Sequence, residues 1–334
     1  MRTLSVSLVL SLLIPAGRAD SPADPVKTAI EKGLSRIEQG AGNYLKNRQC
    51  FSCHHQAMAI LTMAAAKQRG FTVEPEKLQQ QIDFTLNTFK HKRVEVSQGR
   101  AVPGANTMAA YALFALEAGG YPRDETTAAL VQFLLARQKA DGSWPALSQR
   151  PPSEGSPFTN AALALRALRA YGPARDAEGV DELRERIDKA FGKGRDWLLK
   201  SKPGSTEDRA FHLRALVNAD ADAALIEAAR ETLLKEQRAD GSWAQLPDLA
   251  GDAYATGIVL TALRTAGLAT DHEAGKRAMK FLLATQKADG SWLVETRSRP
   301  VQTFFDNGDP GGKSQFISFA ATGWAVLALL EMGN

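Results

Sequence analysis

The residues best suited to chemistry stand together at Gln49-Cys50-Phe51-Ser52-Cys53-His54-His55-Gln56, a stretch that holds both cysteines and two of the five histidines. Cys-x-x-Cys-His is the spacing at which two thiols bond the vinyl groups of a porphyrin and the next imidazole ligates its iron. Cys50, Cys53 and His54 are therefore candidates for a covalent c-type haem. The same donors serve other chemistry. Cys50, Cys53, His54 or His55 with a remote ligand make a zinc or other transition-metal site, and the two thiols alone make a local disulfide or redox pair. A haem iron needs a second ligand or an open position. Met58 and His55 follow too closely on one helix to reach the far face of the ring. His91, two residues after Phe89, is the first candidate; Met108 and His212, near the starts of later helices, are alternatives. His272, in Asp271-His272-Glu273, reads as a helix-start residue.

The surroundings of the motif point to export. Met1-Arg2-Thr3, an apolar run from Leu4 to Ile14, and small residues at Gly17 and Ala19 have the pattern of a secretory signal peptide spanning 1–19. The expected mature protein is exported, periplasmic or secreted, and an oxidising compartment disfavours two free thiols. No later segment reads as a membrane span. Net charge is +4, and it falls to +2 without Arg2 and Arg18. That balance excludes a strongly basic surface of the kind that recruits nucleic acid or acidic lipid.

The elements that must position the motif come from an internal repeat. Gln138-Lys139-Ala140-Asp141-Gly142-Ser143-Trp144 recurs as Gln237 to Trp243, 99 residues on, and as Gln286 to Trp292, a further 49 on. The first interval holds a degenerate copy, Trp197-Leu198-Leu199-Lys200-Ser201-Lys202. Tyr44 to Gln49 and Phe84 to Phe89 fit the same frame upstream, making six units. Each unit pairs an amphipathic helix, as in Thr126 to Arg137 and Glu273 to Thr285, with an Asp-Gly turn and a second, Ala/Leu-rich helix. The second helices read as Thr107 to Glu117, Thr159 to Tyr171, Thr256 to Ala266 and Thr322 to Glu331, with glycines at their ends. Their apolar residues cover most faces, as in buried helices, and no strand pattern of any length appears. The fold class is all-α: six helical hairpins, stacked as an open solenoid or closed into a ring.

Gln-x-x-Asp-Gly-Ser-Trp following Leu-Leu resembles the QW repeat of the terpenoid cyclase and protein prenyltransferase superfamily. The resemblance covers essentially all of residues 20–334 and implies a single (α/α)6 toroid, with inner helices around a central cavity and outer helices around them. It also implies structural roles for Gln138, Trp144, Gln237, Trp243, Gln286 and Trp292, which tie an outer helix to its neighbour. It does not bring a reaction. The nearest match to the protonating Asp-x-Asp-Asp motif of squalene cyclases is Asp220-Ala221-Asp222-Ala223, which lacks the last acid and reads as a solvated turn. Aromatics, at 7%, are few for a carbocation cavity. The zinc donors of prenyltransferases and lanthipeptide cyclases are not matched in spacing. As a whole the chain resembles exported bacterial squalene-cyclase-like or prenyltransferase-like repeat proteins that carry Cys-x-x-Cys-His-His-Gln.

Alignment of the units sets Gln49 over Gln138, so Cys50 to His54 replace an Asp-Gly-Ser turn at the mouth of the cavity, with the inner helix beginning at His54 or His55. That exchange removes a Trp. Ring closure brings the long connection from Arg299 to Phe316 beside the motif, where Asp306, Asp309 or Lys313 can serve a ligand or partner. The loop from Ser148 to Phe158 reads as a second rim loop. Three functional readings follow: a c-type haem protein with a redox partner; a cyclase or transferase acting on an isoprenoid or peptide, with or without a metal; and a ligand-binding toroid with structural cysteines. A cavity lined by aromatics and one acid favours the enzyme, and a filled centre favours the other two.

Overall fold

Each repeat becomes a helical hairpin because its first helix has one apolar stripe and its second has none to spare for solvent. A computed structural model describes residues 24–148, 150–174, 177–299 and 303–333; the segment read as a signal peptide lies outside them. The outer helices are α1 (Pro25–Asn47), α3 (Pro75–Lys90), α6 (Glu125–Arg137), α8 (Asp181–Lys200), α10 (Ala223–Lys235) and α12 (Glu273–Thr285). The inner helices are α2 (Met58–Gln68), α5 (Ala105–Ala118), α7 (Pro157–Tyr171), α9 (Thr206–Asn218), α11 (Ala253–Thr265) and α13 (Gln315–Met332). A one-turn helix, α4 (Arg93–Ser97), lies in the second hairpin.

The ring closes. Contacts run α2–α5–α7–α9–α11–α13 and back from α13 to α2, while α1 packs on both α12 and α13. The inner helices run parallel. N-terminal residues meet N-terminal residues, as when Thr159 and Tyr254 donate to Glu207 at 2.9 and 3.1 Å. C-terminal ends meet likewise, as when Arg264 Nε donates to the Glu331 carbonyl at 3.1 Å. Small residues let the inner helices approach: a Cβ at Gly257 of α11 would lie 2.6 Å from the backbone of Trp324 on α13.

The repeat motif does its tying by division of labour. The Gln side chain crosses to the next outer helix, Gln138 to the Ala190 carbonyl, Gln237 to Ala274 and Gln286 to Ala29, at 2.8 to 2.9 Å. The last of these bonds joins unit six to unit one. The Trp indole instead donates back to its own outer helix, at the carbonyls of Leu134, Leu233 and Leu282. The Trp292 ring also lies where a side chain at Gly33 of α1 would be. Asp141, Asp240 and Asp289 each accept from the backbone and hydroxyl of the serine two residues on.

Two readings need correction, and one detail is added to the all-α fold. A two-residue ribbon is present, β1 (Trp243–Ala244) against β2 (Gly251–Asp252), too short to show as an alternating pattern. Helix α13 begins at Gln315 rather than Thr322, because the phenylalanines of the preceding loop continue into it. The segment Gly312–Met332 is also long and apolar enough to cross a membrane, against the reading that no later segment is. Its most apolar window is 78% buried among the other helices, as the core position of α13 requires.

Candidate functional site

The segment from Cys50 to Ala57 is held at the mouth by the helices and loops around it. The Phe51 backbone N–H donates to Thr88 Oγ1 of α3 at 3.0 Å, and the Phe51 ring, fully buried, packs 6.0 Å from Phe89. Phe51 thus ties the segment to the neighbouring outer helix. A π-turn, Cys53–Ala57, then leads into α2, so the helical path begins one residue before His54. Such wide turns fan out consecutive side chains and recur at functional sites. Here the fan sends Cys53 and His54 toward one loop and His55 toward another.

Cys53 and His54 meet Glu154, a residue of the rim loop with no motif of its own. The Cys53 thiol donates to Glu154 Oε1 at 3.3 Å, His54 Nδ1 lies 3.6 Å from the same oxygen, and Sγ and Nδ1 are 3.6 Å apart. Among the described residues this is a cluster whose three donor atoms can share one metal ion. Glu154 is buried; it also accepts from Ser148 Oγ at 2.8 Å and is paired with Arg150. Burial pulls its carboxyl up, but His54, Arg150 and Ser148 more than offset this and bring it down to about 2. Enclosure, and then the Glu154 charge, push the Cys53 thiol well up.

His55 turns away from this group and is held through its Nε2 and both ring faces, while its Nδ1 is buried without a partner. Its Nε2 is 2.8 Å from Asp309 Oδ2, its ring stacks on Phe319 and Tyr44, and Asn307 bonds to Asp309 at 2.7 Å. Arg36 completes the support at 3.3 Å from Asp309. Burial lowers His55 to about 4, against the pull of Asp309. The long connection therefore does lie beside the motif, and Asp309 is tied to His55. Asp306 is exposed and accepts from the Gly308 N–H, while Lys313 lines a rim pocket with His54 and Glu154.

The other candidates separate. Met108, in the first turn of α5, lines a pocket of about 150 Å³ with Cys50, His54, Glu154, Tyr44, Phe305 and Phe316. His91 is exposed at the C-terminus of α3 and does not line that pocket. His212 is not at a helix start: it sits midway along α9, its Nε2 3.1 Å from the Leu198 carbonyl, in a groove between α8, α9 and α10. His272 caps α12, and Asp222 caps α10. Cys50 is exposed and Cys53 buried, with no disulfide between them.

A metal fits this donor set. Zinc-type bond lengths in a tetrahedron set neighbouring donors about 3.3–3.6 Å apart, and the three observed separations lie at 3.3, 3.6 and 3.6 Å. A macrocycle fits the present arrangement less well. Pockets for drug-sized ligands hold about 300–1,000 Å³, and Cys53, 2% exposed, bonds to Glu154 and is not among the residues that line the pocket with Cys50. The ring interior is filled: Phe211 on α9 reaches Trp324 on α13 across the intervening α11, and both are buried with Tyr111 and Tyr254.

Residues 197–334 match the family model of the squalene-hopene cyclase C-terminal domain. Squalene–hopene cyclase of Zymomonas mobilis is 35% identical over 110 residues, which is 33% of this chain and 16% of that protein's length. Among solved structures, the type II terpene cyclase MstE from Scytonema is 15% identical with a TM-score of 0.55, over 92% of this chain and 98% of that one. A glycosidase gives 10% and 0.57 over 92% and 98%. A protein from Actinoplanes gives 14% and 0.56 over 92% and 100%. What the chain shares with these structures is the fold, an all-α toroid of the terpenoid-cyclase type.

Proposed function

We propose that this protein is a toroid enzyme with a zinc-type metal centre at its mouth, held by Cys53, His54 and Glu154 and acting on a small, partly apolar substrate. The observation that carries this reading is the convergence of a thiol, an imidazole and a carboxylate on one point, from residues 101 apart in sequence. Three protein ligands with a fourth position open is the composition of catalytic rather than structural zinc. The bound ion would supply Lewis acidity for hydrolysis or group transfer. The chain's own residues do the rest. Glu154 is kept ionised by His54, Arg150 and Ser148. Tyr44, Met108, Phe305 and Phe316 give the pocket an apolar wall, and Arg150 provides a cation at its edge. The filled centre, the outcome expected of the other two readings, argues against chemistry inside the ring, so the enzyme reading rests on the metal group at the mouth; the family match and the terpene cyclase neighbour support an isoprenoid-like ligand there.

A second reading is favoured by one observation: Cys50, His54 and Met108 line the same pocket, so a thiol, an imidazole and a thioether would be available there to hold a covalent haem. It requires Cys53 to leave Glu154.

Protein produced with its leader in a host competent for cytochrome c maturation separates the two. Elemental analysis should find about one zinc-type ion per chain, lost in Cys53→Ser and Glu154→Gln, with an intact mass equal to the bare chain. A Soret band with added mass would replace the first reading by the second. A metal-free, haem-free protein would reject both.

A further inference from the structure

We propose that the end of the ring opposite the Cys53–His54–Glu154 group binds a small oxyanion on Arg214. The parallel inner helices bring their C-terminal halves to this end, and with them Arg69, Arg166, Arg214 and Arg264 against Glu117 and Glu331. Three of the arginines are already engaged. Arg166 pairs with Glu117 at 2.6 Å. Arg69 donates to the carbonyls of Leu330 and Gly333 at the end of α13. Arg264 donates to those of Glu331 and Leu268. Cations at helix C-termini are well placed to satisfy such carbonyls.

Arg214 is different. It is 9% exposed, and among the described residues it makes no hydrogen bond or ion pair. Its guanidinium lies 5.6 Å over the Trp324 ring. A guanidinium carries five donors and does not shed its charge; its Nε is buried without an acceptor, which is unfavourable, while the two Nη groups are not among the buried unpartnered atoms and remain open to an acceptor. The nearby acid does not supply one. Glu331 faces Arg214, Arg264 and Arg69 together but makes no ion pair with any of them, which leaves three cations around one carboxylate.

An oxyanion resolves all of this. A carboxylate or phosphate accepts two parallel N–H bonds from a guanidinium and neutralises the excess charge. Trp324 forms one wall, which suits an anionic group attached to a flat or apolar body. The site is independent of the metal centre.

The test is thermal unfolding of the full chain at constant ionic strength, with chloride replaced stepwise by phosphate or by acetate. Holding ionic strength fixed removes general screening. The expected result is a saturable rise in Tm, of a few degrees at about ten times Kd, with one of the two anions and not the other if shape is selected. Arg214→Gln should abolish the rise while keeping the metal content of the wild type, and Arg214→Lys should weaken it. A wild type that does not respond, or a Gln variant that responds equally, overturns the proposal. Should the Gln variant fail to fold, calorimetric titration of wild type and the Lys variant with phosphate and acetate decides: equal or absent binding overturns it.

Discussion

Glu207 shows what enclosure does to a single carboxyl. It is buried with its two oxygens on Thr159 and Tyr254, and burial raises it from 4.5 to about 7, against those hydroxyls. Between these values the folded chain keeps a proton that the unfolded chain has released. Its contribution to stability is therefore complete below about pH 4.5 and is lost as pH climbs to about 7, an effect of about 3 kcal/mol. Glu207→Gln keeps the shape and should flatten the decline in urea midpoint between pH 5 and 8; an unchanged slope would show that another group carries it. Glycine gives a second case. Gly290 has φ +86° and would place a Cβ 2.3 Å from the Lys32 carbonyl oxygen, whereas Gly267, at φ +84°, has open space around it. Gly267→Ala should cost about 1 kcal/mol from backbone strain alone. Gly290→Ala should cost clearly more, because α1 must also move; equal losses in Tm would contradict the close approach. At this scale the sequence is half legible. Cys53 and His54 announce themselves by spacing. Glu154 does not, because a single acid in a proline-rich loop has no periodicity and its meaning comes from the residues that the ring brings to it.

Among the elements, α10 is the weak one. It buries one residue, Leu233, and the outer helix before it ends in Trp197 to Lys202 without the Gln-x-x-Asp-Gly-Ser-Trp strap. By contrast α12 buries four residues, Ala274, Gly275, Ala278 and Leu282, and is strapped by Gln237 to its predecessor. Local opening follows such differences in buried contact. Native-state hydrogen exchange should therefore find the amides of α10 opening well before those of α6 and α12; uniform protection around the outer ring would contradict this. The missing strap was readable in the sequence, and so were most helices, since Glu273 to Thr285 and the span to Tyr171 carry a clear period and capping residues. The start of α13 was not, because Gln315 to Ala321 lack a boundary signal of their own. The π-turn was not either: it depends on Gln56 reaching back to the Ser52 N–H at 3.1 Å, a bond that no spacing rule foretells.

For the molecule, the 49-residue period and three full motif copies were enough to predict a repeat of helical hairpins, and the resemblance they carry was needed to choose a ring over a solenoid. The physical reason for the choice is visible in Gln286, which reaches Ala29 as Gln138 and Gln237 reach Ala190 and Ala274. Unit six treats unit one as its next neighbour. One consequence concerns the ends of the described chain. Asp24, Val26 and Gly333 line one recess, and a Cβ at Gly333 would lie 3.3 Å from Val26. In the folded state the unit numbered first is thus a matter of where the backbone happens to be open. A circular permutant, with a short linker from Gly333 to Asp24 and new termini in the exposed turn at Ala269 and Thr270, should keep the helical content and cooperative unfolding of the parent. Interlocked neighbours, rather than the order of synthesis, would then define the architecture.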